Sequence, residues 1–322
     1  MISRRLLRVK ALQVLYAFNR KEGDDFASAD KELAMSIAKA YDLYLYLLLL
    51  YTELTSVAEN RIETGLQKNF PTSEDLNPNR RFVNNRIVGR LKDCDELTAI
   101  ARDRKITWTG HEDIPRVLYS RMSDWPEFSA YLNSSDDSIV SDRKFLSNLL
   151  TGLLLETEDL LLHLEEMSIY WNDDLEFAVI MIEKTLKRIR EDQEPAEFLM
   201  PLFKNEDDEK FASGLLINSL LRDSEIRQMI DRNTTNWEIE RIALMDILVM
   251  QLAITEIMVF PEIPVKVTLN EYIEIAKYYC TAKSSTFING ILDKVVKELK
   301  DKGMFEKTGR GLIGENEFKD QQ

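Results

Sequence analysis

Residues 237–299 constrain the fold more than any other part of the chain, because they read as three helical segments with almost nothing between them. Residues 237–258 are apolar almost all round, as expected of a helix buried on most sides. Pro261 and Pro264 end that helix and pre-shape an extended link. Thr268 stands three residues before Glu271, the spacing of a capping box for the next helix. In that helix Leu269, Tyr272, Ile273 and Ala276 share the inward face, while Glu271, Glu274 and Lys277 read as a solvated face with a Glu–Lys pair. Ser284 or Ser285 can cap the last helix, whose Ile288, Ile291, Leu292, Val295 and Leu299 form an apolar stripe. The expected fold class is all-α, and eleven Gly and eight Pro in 322 residues also favour long helices over a turn-rich sheet.

Two positions in this stretch carry chemistry. Asp246 falls on the helical wheel between Ile239, Ile242, Met250 and Ile257, where a carboxylate needs a partner. That partner is either a Lys or Tyr of the fold or a group on another protein. Phe287 lies about 100° off the centre of the last stripe, in the first turn, beside Lys283 and the open amides of a helix start. It is either an edge-of-core ring or a platform for a stacked base next to a phosphate.

At the other end, residues 3–19 read as an amphipathic helix with Leu7, Ala11, Val14 and Phe18 on one face and Arg4, Arg5 and Arg8 on an adjacent arc. The net charge is −14, so nucleic acid would need a local basic patch. The opening residues supply one: Arg4, Arg5, Arg8 and Lys10 precede the first acid, Glu22. Such a helix also suits a membrane surface or simple solvation.

Between these ends, residues 29–66 read as helical and 70–79 as a breaker. The basic stretch from Arg80 to Lys105 is interleaved with Asp93, Asp95, Glu96 and Asp103 and reads as a solvated face. Residues 142–171 line up without a gap on 208–237, an offset of 66, which suggests one helical unit used twice; two Leu-rich helix pairs that converged are the other reading. Residues 303–322 hold too little apolar content to pack and are expected to be a disordered tail.

Several classes are excluded. The apolar run 43–51 is far shorter than the roughly 20 residues of a membrane span, and the expected location is cytoplasmic. Cys94 and Cys280 give no disulfide framework, and with only His111 and His163 there is no metal cluster. A P-loop, a glycine-rich βαβ turn and a nucleophile–base arrangement are all missing, so neither an enzyme nor a cofactor is expected.

FPEIPVKVTLNEYIEIAK resembles the P-x-(I/V)-P-(hydrophobic)-K-V-x-(I/L)-N-E-x-(I/V)-E-(L/I)-A-K run of the NusB family, and KSSTFINGILD resembles its (K/D)-S-x-x-F-(I/V)-N-G-(I/V)-L-D signature. RRLLRVKALQVLYAF resembles the family's arginine-rich first helix with its A-x-Q-x-L-Y ending. Gln251 stands where the family usually has Arg, and Cys280 where it often has Gly. The resemblance implies a helical double bundle formed by residues 1–28 and 191–302, interrupted by a helical insertion at 29–190. It implies an antitermination factor that binds boxA-type single-stranded RNA of ribosomal RNA leaders together with the ribosomal protein NusE, alongside RNA polymerase, NusA and NusG. Arg4, Arg5, Arg8 and Phe287, with Tyr16 and Lys283, would touch RNA, and Asp246 would meet NusE. The start of the first helix and the start of the last are then expected to form one cationic corner. A protein-binding scaffold without RNA, or an accessory domain of RNA modification, are the competing readings.

Overall fold

The computed structural model describes residues 2–21, 25–190, 195–234 and 242–313, and among them all regular structure is helical. The helices are α1 (Arg4–Arg20), α2 (Phe26–Leu66), α3 (Ser73–Leu76), α4 (Arg86–Lys92), α5 (Asp95–Asp103), α6 (Asp113–Ser123), α7 (Pro126–Leu132) and α8 (Ile139–Gly152). They continue with α9 (Glu158–Met167), α10 (Leu175–Arg188), α11 (Glu206–Leu221), α12 (Asp223–Asn233), α13 (Leu244–Val259), α14 (Val265–Tyr279) and α15 (Ser284–Asp301). The chain divides into two compact units: Met1–Ile2 with Ala38–Leu202, and Ser3–Ile37 with Phe203–Gln322. The boundaries therefore differ from the expected 29 and 190. Residue 28 lies inside α2, an uninterrupted helix that begins in one unit and ends in the other.

The unit of residues 38–202 is built on the second part of α2. This helix is long and apolar enough to cross a membrane, yet 72% of its apolar window is buried inside the protein, as in a core helix. Its tyrosines explain how an apolar helix can still be tied down (each ring is packed and each hydroxyl bonded). Tyr41 donates to the Met200 carbonyl at 2.9 Å, Tyr51 to the Leu146 carbonyl at 3.0 Å, and Tyr44 shares a 2.7 Å bond with Thr185. Part of the basic stretch is spent internally, while Arg80, Arg102 and Lys105 are exposed. Arg81 binds the Ser134 and Asp136 carbonyls, Arg86 pairs with Asp137 and Asp142, Lys92 with Glu59, and Arg104 with Asp42.

The unit of residues 3–37 and 203–313 surrounds α13. Leu248, Val249, Leu252, Ala253, Ile254 and Ile257 have essentially no exposure, and α1, α11, α12, α14 and α15 pack around them. Phe260 closes against Phe211, and Ser219 accepts from Gln251 through its carbonyl, so α11 runs antiparallel to α13. The repeat offset reappears in the burial pattern. Asp142 and Asp208, Phe145 and Phe211, Leu149 and Leu215, Leu150 and Leu216, and Leu164 and Ile230 are all interior. Trp237, the last position of that alignment, lies outside the described residues, as does Ile239.

The tail departs from expectation. Gly303, at φ 62°, ends α15: its amide donates to Lys300 and that of Met304 to Leu299, a Schellman motif. Lys307 is then buried and donates to the Ile257 and Phe260 carbonyls at 2.9 and 3.0 Å, satisfying the open end of α13. Residues 303–313 are thus anchored through the buried Lys307 and Gly311, though most of them are exposed, and the rest of the expected tail, 314–322, lies outside the described residues.

Candidate nucleic-acid interface

Ser3 caps α1 by accepting from the Leu6 amide, which fixes where the arginines begin. Arg4 and Arg5 then face water, with side chains 41% and 46% exposed. Arg4 gives Nε to Asp208 at 2.9 Å and lies over the Phe211 ring. Arg5 gives Nε and Nη2 to the two oxygens of Glu271, both at 2.8 Å. Those bonds hold the Glu271 carboxyl below the ordinary carboxylate range. The Nη groups of Arg4 and Nη1 of Arg5 stay unbonded among the described residues.

Arg8 is a correction to the sequence reading. It is interior, 3% exposed, and makes a two-pronged ion pair with Glu256 at 2.7 and 2.8 Å. Glu256 also accepts from Thr268 at 2.8 Å and Tyr272 at 3.2 Å, so both charges are well satisfied where water is excluded. Lys10 is likewise buried. Thr268 therefore serves Glu256 rather than a capping box, and α14 starts earlier, at Val265 after Pro264. The arginine partners Asp208, Glu256 and Glu271 were not legible as such. Glu256 did leave one signal: it and Asp246 are the two carboxylates of a helix that is otherwise mostly apolar.

The start of α15 presents a second cluster. Lys283 is exposed and Phe287 half-buried. Ser284 does not cap the helix with its side chain; its hydroxyl donates to Asp246 at 2.8 Å. Asp246 is buried, and its partners are Ser284 and the Cys280 thiol rather than a Lys or Tyr. Burial, followed by the bond and charge of Asp246, pushes the Cys280 thiol up, so it stays a protonated donor. The Asp246 Oδ1 has no partner among the described residues. Tyr16 is half-buried on α1, with Arg20 over its ring.

One cationic corner does not form. Arg8 reaches Glu256 and Ser284 reaches Asp246, ten residues apart on α13, which is about 15 Å along the axis. The exposed arginines and the Lys283–Phe287 turn occupy opposite ends of the same unit.

The NusB family model matches residues 173–297. The transcription antitermination protein NusB of Salinibacter ruber is 43% identical over 115 residues, 36% of this chain and 72% of that protein. The chain belongs to the NusB family. The NusB protein of Chloroherpeton thalassium is 46% identical over 99 residues, 30% of this chain and 47% of that protein. A solved structure of T. maritima NusB shares 28% identity, covers 43% of this chain and 85% of that one, and superposes with a TM-score of 0.29. The NusB match takes in Glu256, Glu271, Lys283 and Phe287, whereas α1 lies outside it. Gln251 is fully buried and donates to the Ser219 carbonyl at 2.9 Å.

Proposed function

We propose that this NusB protein binds boxA-type single-stranded RNA of ribosomal RNA leaders together with NusE, within a cytoplasmic antitermination complex of RNA polymerase, NusA and NusG. Transcription antitermination is the activity of the family, and it is exercised by binding rather than by catalysis. The observation that carries the RNA reading is the pair of exposed arginines, Arg4 and Arg5, fixed in place but with N–H groups to spare. Phosphates meeting those groups would release counterions, which is the dominant force in such binding. Lys283 and Phe287 supply a second charge and a ring for an unpaired base. Arg8 supports the surface from within by anchoring α1 to α13. Asp246 contributes by holding the start of α15 in place, so an effect on NusE would pass through Lys283 and its neighbours.

The test is a mobility-shift titration of leader RNA with and without NusE, against a scrambled RNA of equal length. Tighter binding of the boxA sequence in the presence of NusE is expected. Equal affinity for both RNAs with NusE present would remove the boxA assignment.

A further inference from the structure

The Arg4–Arg5 pair and Lys283 lie at opposite ends of a stretch of about 15 Å along α13, a gap that an RNA strand bound at both would cross. Helix α14 lies along that gap. Thr268, near its start, and Tyr272, at its middle, bond Glu256 at the arginine end, and Cys280, just past its end, bonds Asp246 at the Lys283 end. Glu271, the partner of Arg5, sits on the outer side of α14. Seven residues further on, about 20° short of two full turns and about 10 Å along the axis, the same stripe carries Tyr278.

Tyr278 is 76% exposed. It makes no hydrogen bond, ring contact or ion pair among the described residues, unlike the interior tyrosines, whose hydroxyls all find acceptors. A tyrosine left in water loses the burial that makes the ring worth having, and its two side-chain torsions make it a stiff contact surface. Between the exposed Val267 and Tyr278 the stripe is polar at Glu271 and at Glu274, which pairs with Lys277, so its apolar side chains do not form a continuous protein-docking face. Tyr16 stands in a matching place on α1: eleven residues past Arg5, about 20° beyond three turns, it shares the Arg5 face.

We propose that Tyr278 stacks on a base of the bound RNA, between the Arg4–Arg5 end and the Lys283–Phe287 end and nearer the latter, and that the strand runs along α14 between them. This rests on the RNA-binding reading above. Stacking on an aromatic ring accepts any base, so Tyr278 adds affinity with little sequence preference.

The experiment is a fluorescence-anisotropy titration of the leader RNA, with NusE, at stepped salt concentrations, for wild type, Tyr278→Ala, Tyr278→Phe and Arg4→Ala/Arg5→Ala. Thermal unfolding checks that each variant is folded. Tyr278→Ala should weaken binding by about fivefold to a hundredfold with an unchanged salt slope, and Tyr278→Phe should stay near wild type. The arginine variant should instead weaken binding and flatten the slope by about 1.4. If Tyr278→Ala binds like wild type while the arginine variant fails, the stacking proposal falls and the RNA reading stands. If neither variant changes RNA binding, both fall. If Tyr278→Ala loses NusE affinity in the absence of RNA and keeps RNA affinity in the absence of NusE, the tyrosine belongs to a protein interface and the proposal is overturned.

Discussion

Removing the Arg8 guanidinium would strand Glu256 in an apolar interior, and removing Glu256 would strand Arg8. Breaking a buried pair from one side costs about 3–5 kcal/mol. Arg8→Ala is therefore expected to lower stability in urea by that amount. Arg5→Ala, which breaks a half-exposed pair, should cost less than about 1 kcal/mol. Any loss of RNA binding in an Arg8 variant must be judged against its folded fraction. His163 makes a second residue-scale prediction. It is buried, shares a 2.7 Å bond with the Tyr46 hydroxyl, and lies beside His111. Burial, then the neighbouring imidazole, lowers its pKa. The unfolded chain takes up a proton near pH 6.5 that the folded chain resists, so acid favours unfolding. The stabilising contribution is full above that pH and is lost as pH falls. The melting temperature of wild type should drop between pH 7.5 and 5.5 by more than that of His163→Gln; parallel curves would remove this role.

At the scale of elements, periodicity located the helices that matter. The inward faces of α14 and α15 read correctly at Leu269, Tyr272, Ala276, Ile288, Ile291, Leu292, Val295 and Leu299, all buried, whereas Ile273 is only half-buried and Ile275 is interior instead. Windows of one helix cannot show what a distant segment supplies. Arg8 shares an arc of α1 with Arg4 and Arg5, yet its fate is set by a carboxylate 248 positions away. Thr268 has capping-box spacing, yet Pro264 starts the helix earlier and Glu256 claims the hydroxyl. The tail was misread for a related reason. Its few apolar groups matter less than Lys307, which caps α13, and Gly303, whose place just past the last apolar position of α15 is itself a helix-stop signal. Gly311 packs so closely that a Cβ would collide with the Pro261 carbonyl oxygen. Gly311→Ala should therefore release residues 303–313, seen as faster hydrogen exchange there and at the end of α13. Unchanged protection in the variant would show that the segment is not held by this contact.

For the whole molecule, the charge is −14 and its distribution decides the function. Within residues 38–202, Arg81, Arg86, Lys92 and Arg104 answer internal carbonyls and carboxylates. Arg86→Ala is accordingly expected to reduce stability while leaving RNA affinity within twofold. A large loss of affinity in a folded Arg86 variant would extend the RNA surface into those residues. The central claim is narrower: of the many cations that face water on this acidic protein, Arg4 and Arg5 carry the largest share of the RNA affinity. Its most direct test is the salt dependence of leader-RNA affinity for wild type against Arg4→Ala/Arg5→Ala, both folded and both with NusE. The account predicts affinity at least about tenfold weaker and a slope of log affinity against log salt shallower by about 1.4. Identical affinity and identical slope would contradict it.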